Sequence, residues 1–207
     1  MKPIIKLITA AVLPTLGLGC ATANYIEHDG HNSVVNVGQI NTQDWIRAAD
    51  ELTQSLLLSG AIQSVAGKPK VLMIGRIKNN TAQHIDTDSL MKKIRVALNK
   101  GGRALTTTAV GLDGPEDESS KAVRELRSDD EFNQTTIPGK GSLISPDYSL
   151  SGKIIQNNAR AKRVLLPTIK QSEFAFQLSL TDLKTGLAIW EEEKLIVKQG
   201  SRAAVGW

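Results

Sequence analysis

Aromatic residues are scarce in this chain: three Trp, two Tyr and three Phe among 207 residues. A core must therefore be built of Leu, Ile and Val. No basic run is interleaved with aromatics, and a formal charge of +4 is too mild to argue for a nucleic-acid partner. A single cysteine, Cys20, excludes any disulfide within the chain, so packing alone must hold it. No hydrophobic run reaches the roughly 20 residues of a membrane-spanning helix. No internal repeat or low-complexity tract is present.

The apolar stretch Leu7–Leu18 is short, follows Lys2 and Lys6, and ends in Gly17-Leu18-Gly19-Cys20. This arrangement reads as a secretory signal rather than a membrane helix. A Cys after a small residue at the end of such a segment resembles a bacterial lipobox, with Gly17 where Leu is usual. The resemblance implies removal of residues 1–19, a diacylglycerol on the Cys20 thiol and acylation of the new amine. Several acyl chains give stable anchoring. Ala21, rather than Asp, favours the inner leaflet of an outer membrane. The mature chain keeps 23 basic and 21 acidic residues, since Lys2 and Lys6 leave.

Residues 20–41 are polar and aperiodic and read as a lipidated N-terminus and tether, about 65–70 Å when extended and nearer 25 Å as a coil. Residues 42–207 read as one globular α+β domain. Trp45, Ala49, Leu52 and Leu56 recur at helical spacing, with Thr42 as the N-cap and Gly60 as the stop. Lys70–Ile74 suits a strand buried on both faces, broken at Asn79-Asn80-Thr81. A second helix is expected from an Asp86 cap to Lys100, with Leu90, Ile94, Ala97 and Leu98 inward and Gly101-Gly102 ending it. Arg103–Val110 is expected as a strand. A third helix is expected to start at Pro115, to turn Ala122, Val123 and Leu126 inward and to end near Phe132. The period then becomes two. Tyr148, Leu150, Gly152 and Ile154 alternate with small or polar neighbours, as do Phe174, Phe176, Leu178 and Leu180. A turn at Asp182–Gly186 returns the chain as Leu187–Val197, giving a small mixed sheet that ends in an antiparallel meander with one covered face.

Catalytic constellations are not found. His28 and His31 lie in the polar tether with no fixed third ligand, so no metal site is expected. His84 sits before a helix cap without a nearby Ser or Cys nucleophile. In Glu191-Glu192-Glu193 only Glu191 and Glu193 share a strand face, and the run suits a solvated edge that discourages strand pairing. The expectation is a protein that is not an enzyme and takes no cofactor. Charge is clustered: residues 68–103 hold nine basic side chains against Asp86 and Asp88, and residues 113–131 hold eight acids against three bases. Residues 152–170 carry Lys153, Arg160, Lys162, Arg163 and Lys170 with no acid. Opposed charged faces steer and orient a partner. The expected loop Asn157–Lys170 is therefore the first candidate contact, through Arg160, Lys162, Arg163 and Lys170.

Several segments together resemble one family: Pro69–Arg76, Asn79-Asn80-Thr81, His84–Asp88, Leu150–Ile154, and Phe176–Gly186 followed by Ile189-Trp190-Glu191. The chain resembles the penicillin-binding protein activator LpoB family of outer-membrane lipoproteins over roughly residues 45–200. The resemblance implies a fold similar to the N-terminal domain of TolB. It also implies stimulation of a class A penicillin-binding protein through that enzyme's periplasmic domain, in cell-wall synthesis. A monomer lipid-anchored at the periplasmic face of the outer membrane is expected. The tether is shorter than the long Pro-rich one of the enterobacterial members. A different class remains open: secretion or assembly scaffolds resembling the curli exporter CsgG, which form rings and need extra amphipathic hairpins to line a bilayer. So does an envelope lipoprotein that binds another lipoprotein or the wall itself.

Overall fold

The computed structural model describes residues 23, 25–27, 33–63, 67–111, 117–161 and 168–201. The signal segment, Cys20, His28, His31, Pro115, Lys162 and Arg163 lie outside the described residues. A short N-terminal unit ends at Ser33, and a second compact unit, which holds every helix and strand among the described residues, begins at Val34.

Helix α1 covers Thr42–Leu58. Its N-cap is Asn41 rather than Thr42, because the Asp44 carboxylate reaches back to the Asn41 amide at 2.8 Å. The helix ends one residue earlier than Gly60 implied, at a Ser59 cap, and Gly60 turns the chain at φ 78°. Strand β1 spans Lys70–Asn80. It runs past Ile74 because an irregularity at Gly75-Arg76 keeps Ile77 on the buried side while Arg76 and Lys78 are exposed. Helix α2, Thr87–Lys100, starts at the Asp86 cap as expected, its side chain accepting from the Asp88 amide at 3.0 Å. Leu90, Met91, Ile94 and Leu98 are buried beneath it.

The expected strand Arg103–Val110 shrinks to β2, Ala104–Thr106. Helix α3 is Ser119–Glu125, continued by a single tight turn over Leu126–Ser128. No residue of either piece is buried, so Ala122 and Val123 do not turn inward, and Phe132 is 47% exposed. Ala122, Val123 and Leu126 share one side of the segment, but among the described residues no element of the core packs closely on that side.

Strands β3 (Tyr148–Ala161), β4 (Ile169–Asp182) and β5 (Ala188–Ser201) complete one sheet in the order β2-β1-β3-β4-β5. β1 is parallel to β2 and β3; the last three strands form the antiparallel meander. The Asp182–Gly186 turn reverses the chain with Gly186 at φ 74°, the left-handed region that favours glycine. The described ends of the expected loop Asn157–Lys170 are ladder instead, with residues 162–167 outside the described residues. β3 continues to Ala161 and β4 starts at Ile169, with Asn157 opposite Glu173 and Arg160 opposite Lys170. Polar side chains hide those rungs from a reading by period, since cross-strand pairing needs no apolar alternation.

Leu72, Leu150, Ile154, Phe174, Phe176, Leu178 and Leu180 share one sheet face, with Trp190 at 9% exposure on the edge strand. α1 and α2 pack on that face through Ala48, Ala49, Leu52, Leu56, Leu90, Ile94 and Leu98. Trp45 meets Phe176 edge-on at 5.8 Å between ring centres. The architecture is α+β, with both long helices on one side of a mixed five-stranded sheet.

Candidate functional site

The segment entering α1 is sewn to the far end of the sheet by side chains from three elements. Gln83 accepts a bond from the Ile40 amide at 3.1 Å, and Gln156 donates to the Gly38 carbonyl at 3.3 Å. Lys198 donates to the Gln39 carbonyl, to Asn41 Oδ1 at 3.0 Å and to Asp44 Oδ2 at 2.5 Å. The Lys198 ammonium also lies 5.0 Å from the centre of the Phe174 ring. Asp44 and Lys198 are both buried, so each charge depends on the other. The sequence pattern carries a trace of this: Lys198 shares strand parity with Ile196 and Trp190, placing a cation on the core face.

β3 and β4 project beyond β1, whose last pair is Asn80 with Ile155. On the projection, Asn158 accepts from Ser172 at 2.8 Å, and the next rung on that face holds Arg160 directly opposite Lys170. Both cations are exposed and neither has a hydrogen-bond or ion-pair partner among the described residues. Of the four residues singled out as a contact, the structure thus brings two together.

The second cationic surface follows α2. A concavity of about 1080 Å³ there is lined by Arg76, Lys92, Lys93, Arg95 and Lys100, with Ile74, Met91 and Val96 as apolar lining and Asp50, Asp86 and Asp88 among the cations. Mixed signs make it less one-sided than the sequence suggests.

The acidic passage is a distinct surface. Its described part, residues 117–131, belongs to an excursion whose two roots sit side by side: the Thr107 amide bonds Leu72 O at 2.9 Å, and the Asp147 amide bonds Val71 O at 2.8 Å. Both roots lie at the start of β1, whereas the Arg160–Lys170 rung lies near the end of β3. Hydrogen bonds from the Ser119 hydroxyl and amide hold the Asp117 carboxylate below its ordinary pKa.

On the uncovered sheet face, Gln177 donates to Glu193, and Ser179 donates to Glu191 at 2.8 Å. Glu192 points the other way and accepts from the Ser55 hydroxyl of α1 at 2.7 Å. That bond, with one from the Glu193 amide, lowers the Glu192 pKa. The three glutamates are divided between two faces, as strand geometry requires. His84 is exposed. Among the described residues no group of three or more His, Cys, Asp and Glu is placed to hold a metal ion, and no helix is long and apolar enough to cross a membrane.

No curated protein matches the chain by sequence. Among solved structures, the C-terminal domain of LpoB from Escherichia coli is 18% identical, with a TM-score of 0.41, covering 74% of this chain and 98% of that domain. The corresponding domain from Salmonella enterica is 19% identical, with a TM-score of 0.42 and the same coverages of 74% and 98%. The PelC dodecamer from Paraburkholderia phytofirmans is 15% identical, with a TM-score of 0.33, covering 66% of this chain and 76% of that one. One family pattern, that of the peptidoglycan-synthase activator LpoB, matches residues 44–196, from the first turn of α1 to the buried Ile196 of β5. Because that match reaches every helix and strand of the compact unit, the chain belongs to the LpoB family of peptidoglycan-synthase activators.

Proposed function

We propose that this protein is a lipid-anchored, non-catalytic activator of a class A penicillin-binding protein. The observation that carries this reading is the family match over residues 44–196, together with the family's description as synthase activators. Members are outer-membrane-associated lipoproteins, which agrees with the lipobox-like Gly19-Cys20. In this reading Cys20 carries the acyl chains at the periplasmic face, and the compact unit from Val34 onward, acting as a monomer, reaches the periplasmic part of the synthase.

An activator without chemistry of its own works only through differential binding. It shifts the synthase toward an active conformation by the difference between its affinities for the two states. A tenfold stimulation corresponds to a difference of about 1.4 kcal/mol, within reach of a few well-packed contacts.

The test is glycan polymerisation by the organism's own class A synthases, with and without the mature chain. Polymerisation should accelerate on addition of the chain. A folded chain that neither binds nor stimulates any of those synthases removes the reading. Mass spectrometry of the mature N-terminal peptide checks the anchor separately, and an unmodified Cys20 would refute it.

A further inference from the structure

Arg160 and Lys170 face each other across an antiparallel pair, which is destabilising between like charges. On the same face, the neighbouring rung offers Asn158, Ser172 and Lys198, and the Asp44 carboxylate there is already taken by Lys198. Glu173 lies on the opposite face, three residues from Lys170. The rung is therefore a two-pronged cation with no internal counter-charge among the described residues, open to an external anion.

Position identifies the anion. The chain enters the compact unit at Val34 and is fastened at Gly38 by Gln156 and at Gln39 by Lys198. Gln156, Asn158 and Arg160 succeed one another on the same strand face, so the basic rung lies about 13 Å beyond the Gly38 fastening. Val34 and Val35, beside the point of entry, are 76% and 51% exposed. Thirteen residues separate Cys20 from Val34, which spans at most about 50 Å even when fully extended. β3 runs from Tyr148 at the other end of the sheet to Ala161 at this one, about 43 Å. Of the two ends of the sheet, the one bearing the bare cations is the one to which Gly38 and Gln39, just after the start of the compact unit, are fastened.

We propose that Arg160 and Lys170 form a membrane-facing foot that binds the phosphates of anionic phospholipids in the bilayer holding the anchor. This inference rests on the lipid anchor of the proposed function. The foot turns one end of the sheet toward the anchoring membrane and leaves the excursion roots, at the start of β1, directed away from it. A short anchor keeps the local headgroup concentration high, a condition that millimolar lipid reproduces for the chain in solution. The same rung read as a synthase contact is the competing outcome.

The experiment uses the mature chain with Cys20→Ser, so that no acyl group contributes. It is sedimented with phosphatidylcholine vesicles at millimolar lipid, with and without phosphatidylglycerol as about a third of the lipid. The expected result is salt-sensitive association with the anionic vesicles only, weakened about 25-fold by Arg160→Gln with Lys170→Gln, at roughly fivefold per cation. Circular dichroism confirms that the doubly substituted chain folds. Equal binding to both vesicles overturns the foot, as does loss of stimulation with vesicle binding unchanged, which would make the rung a synthase contact. If wild-type chain fails to stimulate any synthase yet binds anionic vesicles through these two residues, the activator reading falls and the foot stands.

Discussion

The meander β3–β5 and the excursion between β2 and β3 are held by different forces. The meander contributes eight buried side chains, Leu150, Ile154, Phe174, Phe176, Leu178, Leu180, Trp190 and Ile196, to the common core. The described part of the excursion contributes none: α3 and the turn after it bury no residue. It is organised by polar side chains reaching backbone carbonyls. Arg127 donates to Pro138 O at 3.0 Å and to Gly139 O at 2.9 Å, and Gln134 donates to Asp129 O at 2.5 Å. Burial is non-directional and summed over the whole sheet, whereas such bonds are local and each worth about 1 kcal/mol net, somewhat more from a charged donor. The meander should therefore unfold only with the whole unit. The excursion can loosen alone, so a partner that orders it would gain a conformational handle without disturbing the core.

The strongest way to break the contrast is Gly152→Ala. Gly152 pairs with Leu178, and a Cβ built there would stand 2.1 Å from the Gln177 carbonyl oxygen and 2.8 Å from Leu178 Cδ2. Backbone cannot step aside as a flexible side chain can, so β3 and β4 must separate in the middle of the ladder. The expected loss is about 3 kcal/mol or more of global stability, measured by denaturant unfolding. Hydrogen exchange should rise throughout the unit. A wild-type midpoint would show that the meander gives way locally and would erase the distinction between the two regions.

A smaller effect is expected from Arg127→Ala, which removes the guanidinium bonds tying the turn after α3 to Pro138 and Gly139. These groups are half-buried or exposed, so water replaces much of what is lost, and the global midpoint should fall by no more than about 1 kcal/mol. Exchange should increase across residues 117–146 and remain unchanged in β4. Equal increases in both would mean that the excursion is part of the cooperative core after all.

The same contrast explains what can be read from the residues alone. Phe174, Phe176, Leu178 and Leu180 alternate with polar neighbours because one sheet face is buried, and a period of two leaves little ambiguity. α2 is equally legible, since its Asp86 cap and its Leu90, Ile94 and Leu98 stripe agree. α3 misleads because Ala122, Val123 and Leu126 sit at helical spacing by composition, without a surface to receive them. The Arg160–Lys170 rung shows in the sequence as a cluster of charge but reads as a loop, since a projecting ladder with polar rungs has no hydrophobic period. The Lys198–Asp44 pair escapes a sequence reading because its partners are 154 residues apart, and only the fold puts a strand lysine under the cap of α1.

The smallest effect concerns the contact between α1 and edge strand β5. The Ser55 hydroxyl and the Glu193 amide both donate to the Glu192 carboxylate, favouring its charged form and lowering its pKa. A lowered folded pKa means that the contribution to stability is complete above the unfolded glutamate value. It is lost as pH falls through the lowered folded value, once the proton removes the acceptor charge. Carbon-detected NMR titration should therefore place Glu192 below the ordinary glutamate range. Ser55→Ala should raise it toward that range, because the largest cause of the shift is gone, while the Glu193 amide retains part of the effect. An unmoved titration in the Ser55→Ala chain would mean that α1 does not hold Glu192 in solution. The α1–β5 seam would then rest on Lys194 with Glu51 and on the buried Lys198–Asp44 pair.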